Sequence, residues 1–206
     1  MVNMQIFTLP VGALMTNCYV LATKGGKCII IDPGGEAQTI LQLITNKHLS
    51  VATILLTHGH YDHIGAVNEL HAITKAKVYM SNKDNIFKSG NFWQNYLGVS
   101  WNDLIVTNNL INKDIIRSIE DISLEVIETP GHSKGSVSFY TDGYLFSGDT
   151  LFRRGIGRTD LFKGSYSDII CSIKTKLFKL PDETKVYPGH GNTTKIGQEK
   201  QFFGFV

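Results

Sequence analysis

At 206 residues, of which 42% are hydrophobic and 18% charged, the chain is long enough for one domain with a substantial core and has the composition of an ordinary globular protein. Its formal net charge is only +2, which implies neither a nucleic-acid nor a membrane-surface partner. No apolar run approaches the length of a membrane span.

Short extended runs at Met4 to Leu9, Cys18 to Thr23 and Cys28 to Asp32, separated by turns bearing Gly and Pro, predict strands. The apolar spacing of Ala37, Ile40, Leu41 and Ile44 predicts a helix over 36–48, and the β-branched and leucine run from Val51 to Thr57 a buried strand ending at His58. A polar, extended turn then leads into an amphipathic helix from Ile64 to about Lys75 and a short strand at Lys77 to Met80. Residues 82–121 are less regular and hold Phe92, Trp93, Tyr96 and Trp101. They read as a surface excursion with its own apolar cluster or as a substrate-binding lid. Further strands are expected at Leu124 to Glu128, Ser136 to Tyr140 and Tyr144 to Ser147. Ser165, with Asp168 three residues on, marks the start of a helix that runs through Phe178 and stops before Pro181. A last strand, Lys185 to Tyr187, meets Pro188-Gly189-His190. Strands and helices alternate within each half, so the expected architecture is a single α+β domain over 1–206 in four αββα layers.

The chemistry concentrates in loops that follow strands. Thr57-His58-Gly59-His60-Tyr61-Asp62-His63 places three imidazoles and a carboxylate within six positions, donors that together suit zinc, iron or manganese. Five of the seven histidines, His58, His60, His63, His132 and His190, lie in three such loops. That clustering separates them from His48 and His71, which sit on predicted helices. His132 and His190 each follow Pro-Gly, which lets the backbone approach a site closely. Asp149, in Ser147-Gly148-Asp149-Thr150, adds a carboxylate able to bridge two ions, and Asp32, before Pro33-Gly34-Gly35, reads as a turn residue or as a carboxylate that orients a ligand.

Through HGHYDH at 58–63, the two Pro-Gly-His motifs and Gly148-Asp149, nearly the whole chain resembles the metallo-β-lactamase superfamily. Within it, GDTLFRRGIGRTDL, SYSDIICSIKTKLFKLPDETKVYPGHG and TTKIGQEK are similar to segments of the short bacterial glyoxalase-II-like (hydroxyacylglutathione hydrolase-like) enzymes. The resemblance implies that His58, His60 and His132 hold one metal, that Asp62, His63 and His190 hold a second, and that Asp149 bridges them. These residues together would form the catalytic centre of a hydrolase with two divalent ions, zinc first and iron or manganese as alternatives. The implied reaction is attack of metal-activated hydroxide on a thioester.

Two departures from the glutathione-binding relatives bear on the substrate. Those enzymes continue into a C-terminal helical region, whereas this chain ends shortly after His190. They also carry a Lys followed by aromatic residues where this chain has Gly157-Arg158-Thr159-Asp160. Arg153, Arg154 and Arg158 are candidates to bind an anionic substrate, with a salt bridge from Arg158 to Asp160 an equal reading. The rival activities are a mononuclear-iron persulfide dioxygenase using His58, His132 and Asp149, and lactone or phosphodiester hydrolysis on the dinuclear site. A non-catalytic protein stapled by its ions is the reading of another class. The expected partner is a small molecule, an anionic thioester among the candidates, with neither nucleic acid nor membrane. Three cysteines at unrelated spacings, Cys18, Cys28 and Cys171, suit reduced buried thiols. With the first 22 residues free of Lys and Arg and interrupted by Pro10 and Gly12, they point to the cytoplasm.

Overall fold

Alternation along the strands builds two sheets that share one core. The computed structural model describes residues 4–98, 101–110, 115–119 and 122–204. The first sheet comprises β1 (Gln5–Val11), β2 (Thr16–Ala22), β3 (Lys27–Ile31), β4 (Ser50–Leu55), β5 (Lys77–Met80) and β6 (Asn108–Asn109), in that order. Helices α1 (Ala37–Asn46), α2 (Tyr61–Ile64), α3 (Val67–Thr74) and α4 (Gly90–Leu97) are interleaved with these strands. The second sheet is assembled from β7 (Ile115–Ile119), β8 (Ile122–Glu128), β9 (Val137–Thr141) and β10 (Tyr144–Gly148). A small β11 (Leu151–Phe152) and β12 (Gly155–Ile156) hairpin, α5 (Tyr166–Thr175), β13 (Lys185–Pro188), β14 (Thr194–Lys195) and α6 (Ile196–Phe202) follow. Its order is β14-β13-β10-β9-β8-β7.

Each strand sends alternate side chains to opposite faces, and three apolar layers result. Val20, Ile30 and Ile54 pack with Ile40, Ile44, Val67 and Leu70 of α1 and α3. On the other face, Tyr19, Leu21, Ile29, Ile31 and Leu55 meet Leu124, Val126, Phe139 and Phe146 of the second sheet. Leu145 and Val186 then turn outward against Ile169 and Ile173 of α5 and Ile196 of α6. The helix-sheet-sheet-helix layering is therefore the expected αββα sandwich.

Several local expectations are corrected. β1 runs on through Pro10, which is compatible with a ladder because β1 is an edge strand. β4 stops at Leu55 rather than at His58, and the turn expected to be extended through His63 instead winds into α2. A single helical turn has too few residues to show a period in sequence. The irregular 82–121 segment opens with a 3-10 turn at Asn82–Lys88 and then α4, and Trp93 is fully buried within the first core. Residues 99–100, 111–114 and 120–121 of that segment lie outside the described residues. The helix capped by Ser165, whose hydroxyl accepts from Asp168 N, ends at Thr175 and passes into a 3-10 turn at Leu177–Lys179. Cys18 and Cys28 are buried thiols as expected, but Cys171 is exposed, because on α5 it lies on the face opposite Ile169 and Ile173.

Phe139 lies wholly buried between the sheets. Replacing it with Ala is expected to lower stability by about 3–5 kcal/mol through lost burial and a residual cavity. Urea unfolding measures this; a loss under about 1 kcal/mol would mean that the inter-sheet layer collapses around the gap.

Candidate metal centre

The loops carrying the histidines and carboxylates leave the same edge of the sandwich. Beyond β4, His58 and Gly59 run extended to His60, whose backbone (φ −69°, ψ 148°) caps α2, and α2 carries Asp62 and His63. The loop after β8 supplies His132, the turn after β10 supplies Asp149, and the turn after β13 supplies His190. β10 and β13 are parallel neighbours, with Gly148 beside Pro188 and Gly189 N donating to Gly148 O at 2.9 Å, so Asp149 and His190 emerge side by side. A Cβ on Gly189 would stand 2.1 Å from Asp149 Oδ1, so only glycine permits this approach.

Two clusters of donor atoms form, each able to hold a metal ion: His58, His60 and His132 in one, Asp62, His63 and His190 in the other. His58, His63 and Asp149 form a third set that overlaps both. Asp149 lies between the clusters, with Oδ1 3.4 Å from His63 Nε2 and Oδ2 3.5 Å from both His132 Nε2 and His190 Nε2. Asp62 Oδ2 is 3.2 Å from His190 Nε2 and 3.4 Å from His63 Nε2. All seven residues singled out in the sequence thus converge on one place. His48 and His71 do not; His71 Nδ1 instead reaches Ala76 O at 2.8 Å.

The outward nitrogens of four imidazoles are already committed. His58 Nδ1 contacts Thr57 Oγ1 at 3.0 Å, His63 Nδ1 contacts Asp32 Oδ2 at 2.9 Å, His132 Nδ1 contacts Arg158 O at 2.8 Å and His190 Nδ1 contacts Leu14 O at 3.1 Å. Thr57 Oγ1 itself donates to Asp32 Oδ2, so it accepts from His58. With each Nδ1–H donating outward, every Nε2 is aimed into the site as a potential ligand. His60 differs, since its Nδ1 faces inward, 2.8 Å from His132 Nε2.

The buried atoms left without hydrogen-bond partners test whether a cation fits. Among the described residues they are His58 Nε2, His63 Nε2, Asp149 Oδ1 and Thr184 Oγ1, and the first three all face this site. Stranding three such atoms together is costly unless something else coordinates them. Burial, followed by the neighbouring imidazoles, pushes His58 well below the usual histidine range, and the same causes bring His60 down to about 3, so these rings are neutral donors. Burial also opposes charge on His63 and His190. There, however, Asp149 together with Asp32 raises His63, and Asp149 together with Asp62 raises His190 to about 9. Burial would raise the Asp149 carboxyl, yet His63 and His190 hold it well below the carboxylate range. Divalent cations would replace those imidazole protons against the same carboxylates.

Sequence reasoning missed the residues that tie the loops together. Buried Asp84 accepts from Gly59 N at 3.1 Å, Ser133 Oγ at 2.7 Å and Gly135 N at 2.6 Å, and so joins the His58–His60 loop to the His132 loop. Asn17 N donates to Gly189 O, Asn17 Nδ2 donates to Pro188 O and Gly191 O, and Tyr19 OH donates to Pro188 O at 2.6 Å, clamping the His190 turn to β2. Each lies far from its partner in sequence, and nothing local marks it. Arg158 lies at the mouth, its guanidinium paired with Asp160 through two bonds of 3.0 and 2.9 Å. This is the salt-bridge alternative considered above. A cleft of about 410 Å³ opens over the site.

Known proteins share this fold. The family described as the Metallo-beta-lactamase superfamily matches residues 11–190. The chain is 36% identical to the hydroxyacylglutathione hydrolase GloC of Haemophilus influenzae, over 98% of both chains. It superposes on the BLEG-1 B3 metallo-beta-lactamase with a TM-score of 0.90 and 36% identity, covering 96% of this chain and 97% of that one. A di-iron-bound form of TTHA1623 gives a TM-score of 0.84 at 33% identity, over 97% and 100%.

Asp32→Asn should retain the fold, since Asn tolerates the positive φ of 50° found there. It should nevertheless weaken divalent metal binding about 10- to 100-fold, because His63 loses its carboxylate acceptor. Competition with a chromogenic chelator measures the change, and undiminished affinity would show that Asp32 does not orient His63.

Proposed function

This chain belongs to the metallo-β-lactamase superfamily, and on that premise we propose that it is a hydrolase with two divalent ions in this cleft, acting on a thioester. His58, His60 and His132 would hold one ion and Asp62, His63 and His190 the other, with Asp149 placed between the two clusters. The observation carrying this reading is the position of Asp149, within 3.5 Å of imidazole nitrogens from each cluster. Zinc is the first choice for this donor set, and iron and manganese accept the same ligands. The di-iron-bound form of TTHA1623 is consistent with two ions in such a fold.

When bound, paired divalent cations supply an activated water and Lewis acidity toward a carbonyl. The chain's own residues do the rest. Thr57, Asp32, Arg158 O and Leu14 O keep the imidazoles oriented, so no rearrangement is needed during reaction. The apolar cleft excludes bulk water and strengthens every electrostatic contact within it. Water adds its oxygen to the carbonyl carbon and the carbon–sulfur bond breaks; one of the water's protons goes to the departing sulfur and the other is released, so that a carboxylate, a thiol and one proton result. With a thiol pKa of about 8.5, the departing thiolate needs little help from a general acid.

The thioester is favoured by the likeness to a hydroxyacylglutathione hydrolase. The second reading is a mononuclear-iron persulfide dioxygenase using His58, His132 and Asp149, a family with a similar HxHxDH loop and a similar Gly-x-Gly-Arg-Thr-Asp segment; the likeness to ETHE1 from Myxococcus xanthus, at a TM-score of 0.80 and 30% identity over 96% of this chain and 82% of that one, favours it. A purely structural metal site fits poorly, because such sites are thiolate-rich and closed, whereas no cysteine is present here and Asp62, Asp149 and His190 line the open cleft. Cytoplasmic residence is part of the proposal and rests on the three unpaired cysteines; among the described residues no helix is long and apolar enough to cross a membrane.

Elemental analysis of protein produced with zinc, iron and manganese all available is expected to find about two ions per chain. Thioester turnover should disappear on chelation, exceed that of β-lactam, lactone and phosphodiester substrates, and be abolished together with metal occupancy by Asp149→Ala. One iron per chain with oxygen consumption on a persulfide would overturn the proposal.

A further inference from the structure

The cleft above the candidate metal centre is walled by aromatic rings in an unbroken path from a proposed ligand to solvent. The His60 ring meets Phe87 at 5.0 Å, Phe87 meets Phe92 at 5.3 Å, Phe92 stacks on Tyr96 at 5.7 Å and 10°, and Phe162 closes on Phe92 from the opposite wall at 5.5 Å. Leu14, Tyr96 and Phe162, which line its mouth, are 51%, 53% and 41% exposed. Large apolar side chains gathered at a cleft mouth mark a surface that a ligand covers.

Apart from the proposed metal ligands, charge on the same walls is nearly absent. Arg158 is the only Lys or Arg among the described lining residues, and Asp160 occupies its guanidinium through two bonds. Lys163 is not part of the lining; its ammonium stands 5.3 Å over the Phe162 ring. A glutathione moiety brings two carboxylates, which need cations free to receive them.

From these walls we infer that the cleft selects a substrate with an aromatic or comparably large apolar group next to the reacting carbonyl, and that Phe92, Tyr96 and Phe162 set this preference. The inference rests on the thioesterase reading and narrows its substrate class. The apolar group lies on either the acyl or the thiol side of the scissile bond; both share this chemistry, and separate arms of the test distinguish them.

The metal-loaded protein is titrated calorimetrically with three non-hydrolysable thioethers of one small neutral thiol, the 2-phenylethyl, benzyl and ethyl compounds. At least one aromatic ligand is expected to bind about tenfold more tightly than the ethyl compound. Tyr96→Ser with Phe162→Ser, both at partly exposed positions, should reduce that ratio to about threefold or less while the metal content stays unchanged. Turnover of the phenylacetyl and acetyl thioesters of that thiol, of the acetyl thioester of phenylmethanethiol, whose ring is on the thiol side, and of the hydroxyacylglutathione thioester is followed in parallel. Equal binding of aromatic and ethyl ligands, or a higher kcat/KM for the glutathione conjugate than for every aromatic thioester, would overturn the inference even if thioesterase activity is present. Retention of the aromatic binding preference without turnover of any thioester would uphold the cleft's selectivity and remove the thioesterase reading instead.

Discussion

Asp32 is buried, and a buried carboxylate is tolerated only when its oxygens are fully engaged. It accepts from Thr57 N at 2.7 Å, from Thr57 Oγ1 at 2.6 Å and from His63 Nδ1 at 2.9 Å. These bonds join the end of β3 to the loop leaving β4 and pin α2 beneath both. Because Thr57 Oγ1 spends its proton on Asp32, it can only accept from His58, so one carboxylate sets the orientation of an imidazole in each cluster. Without that network the His58 and His63 rings could turn or change tautomer, and the two clusters would not face a common center.

The rest of the site depends on loops from both sheets meeting at one edge. Parallel pairing of β10 and β13 sets Asp149 beside the His190 turn, while Asn17 and Tyr19 of the first sheet hold that turn from across the sandwich. Asp84 performs the corresponding task between the His58–His60 and His132 loops. The sheets are held by a dry inter-sheet core, so the relative placement of the two clusters follows from packing some distance from the chemistry. The segment containing Asp84 also contributes Phe87, Phe92, Trp93 and Tyr96 to the cleft, and it thereby joins the loops of the candidate site to the cleft wall.

The candidate metal ligands were legible because imidazoles and carboxylates in loops after strands, next to glycine and proline, have few structural uses in common. The strands were legible because their side chains alternate over four or more residues. Less was legible wherever one turn had to be identified, as with α2, or where a residue's partner lay remote in sequence. Asp84 meets Ser133 and Gly135, and Asn17 meets Pro188 and Gly191; each looks like an ordinary turn or strand residue until the chain is folded. Residues 82–97 read as irregular because their apolar residues serve two purposes at once, with Trp93 buried in the core and Tyr96 exposed at the cleft mouth.

The amino-acid sequence by itself pointed to the layered α+β architecture through the order of its elements, to the family through the resemblance carried by HGHYDH, the two Pro-Gly-His motifs and Gly148-Asp149, and through that resemblance to the seven candidate ligands. Only the tertiary structure decided which nitrogen of each imidazole faces inward, that Asp149 stands between two clusters, that Arg158 is already paired, and that the cleft is aromatic. Those features depend on distances between segments that are up to 176 residues apart, as in the contact of His190 with Leu14. Such distances are fixed by the packing of two sheets against one another, a property of the whole fold that no local stretch of sequence carries.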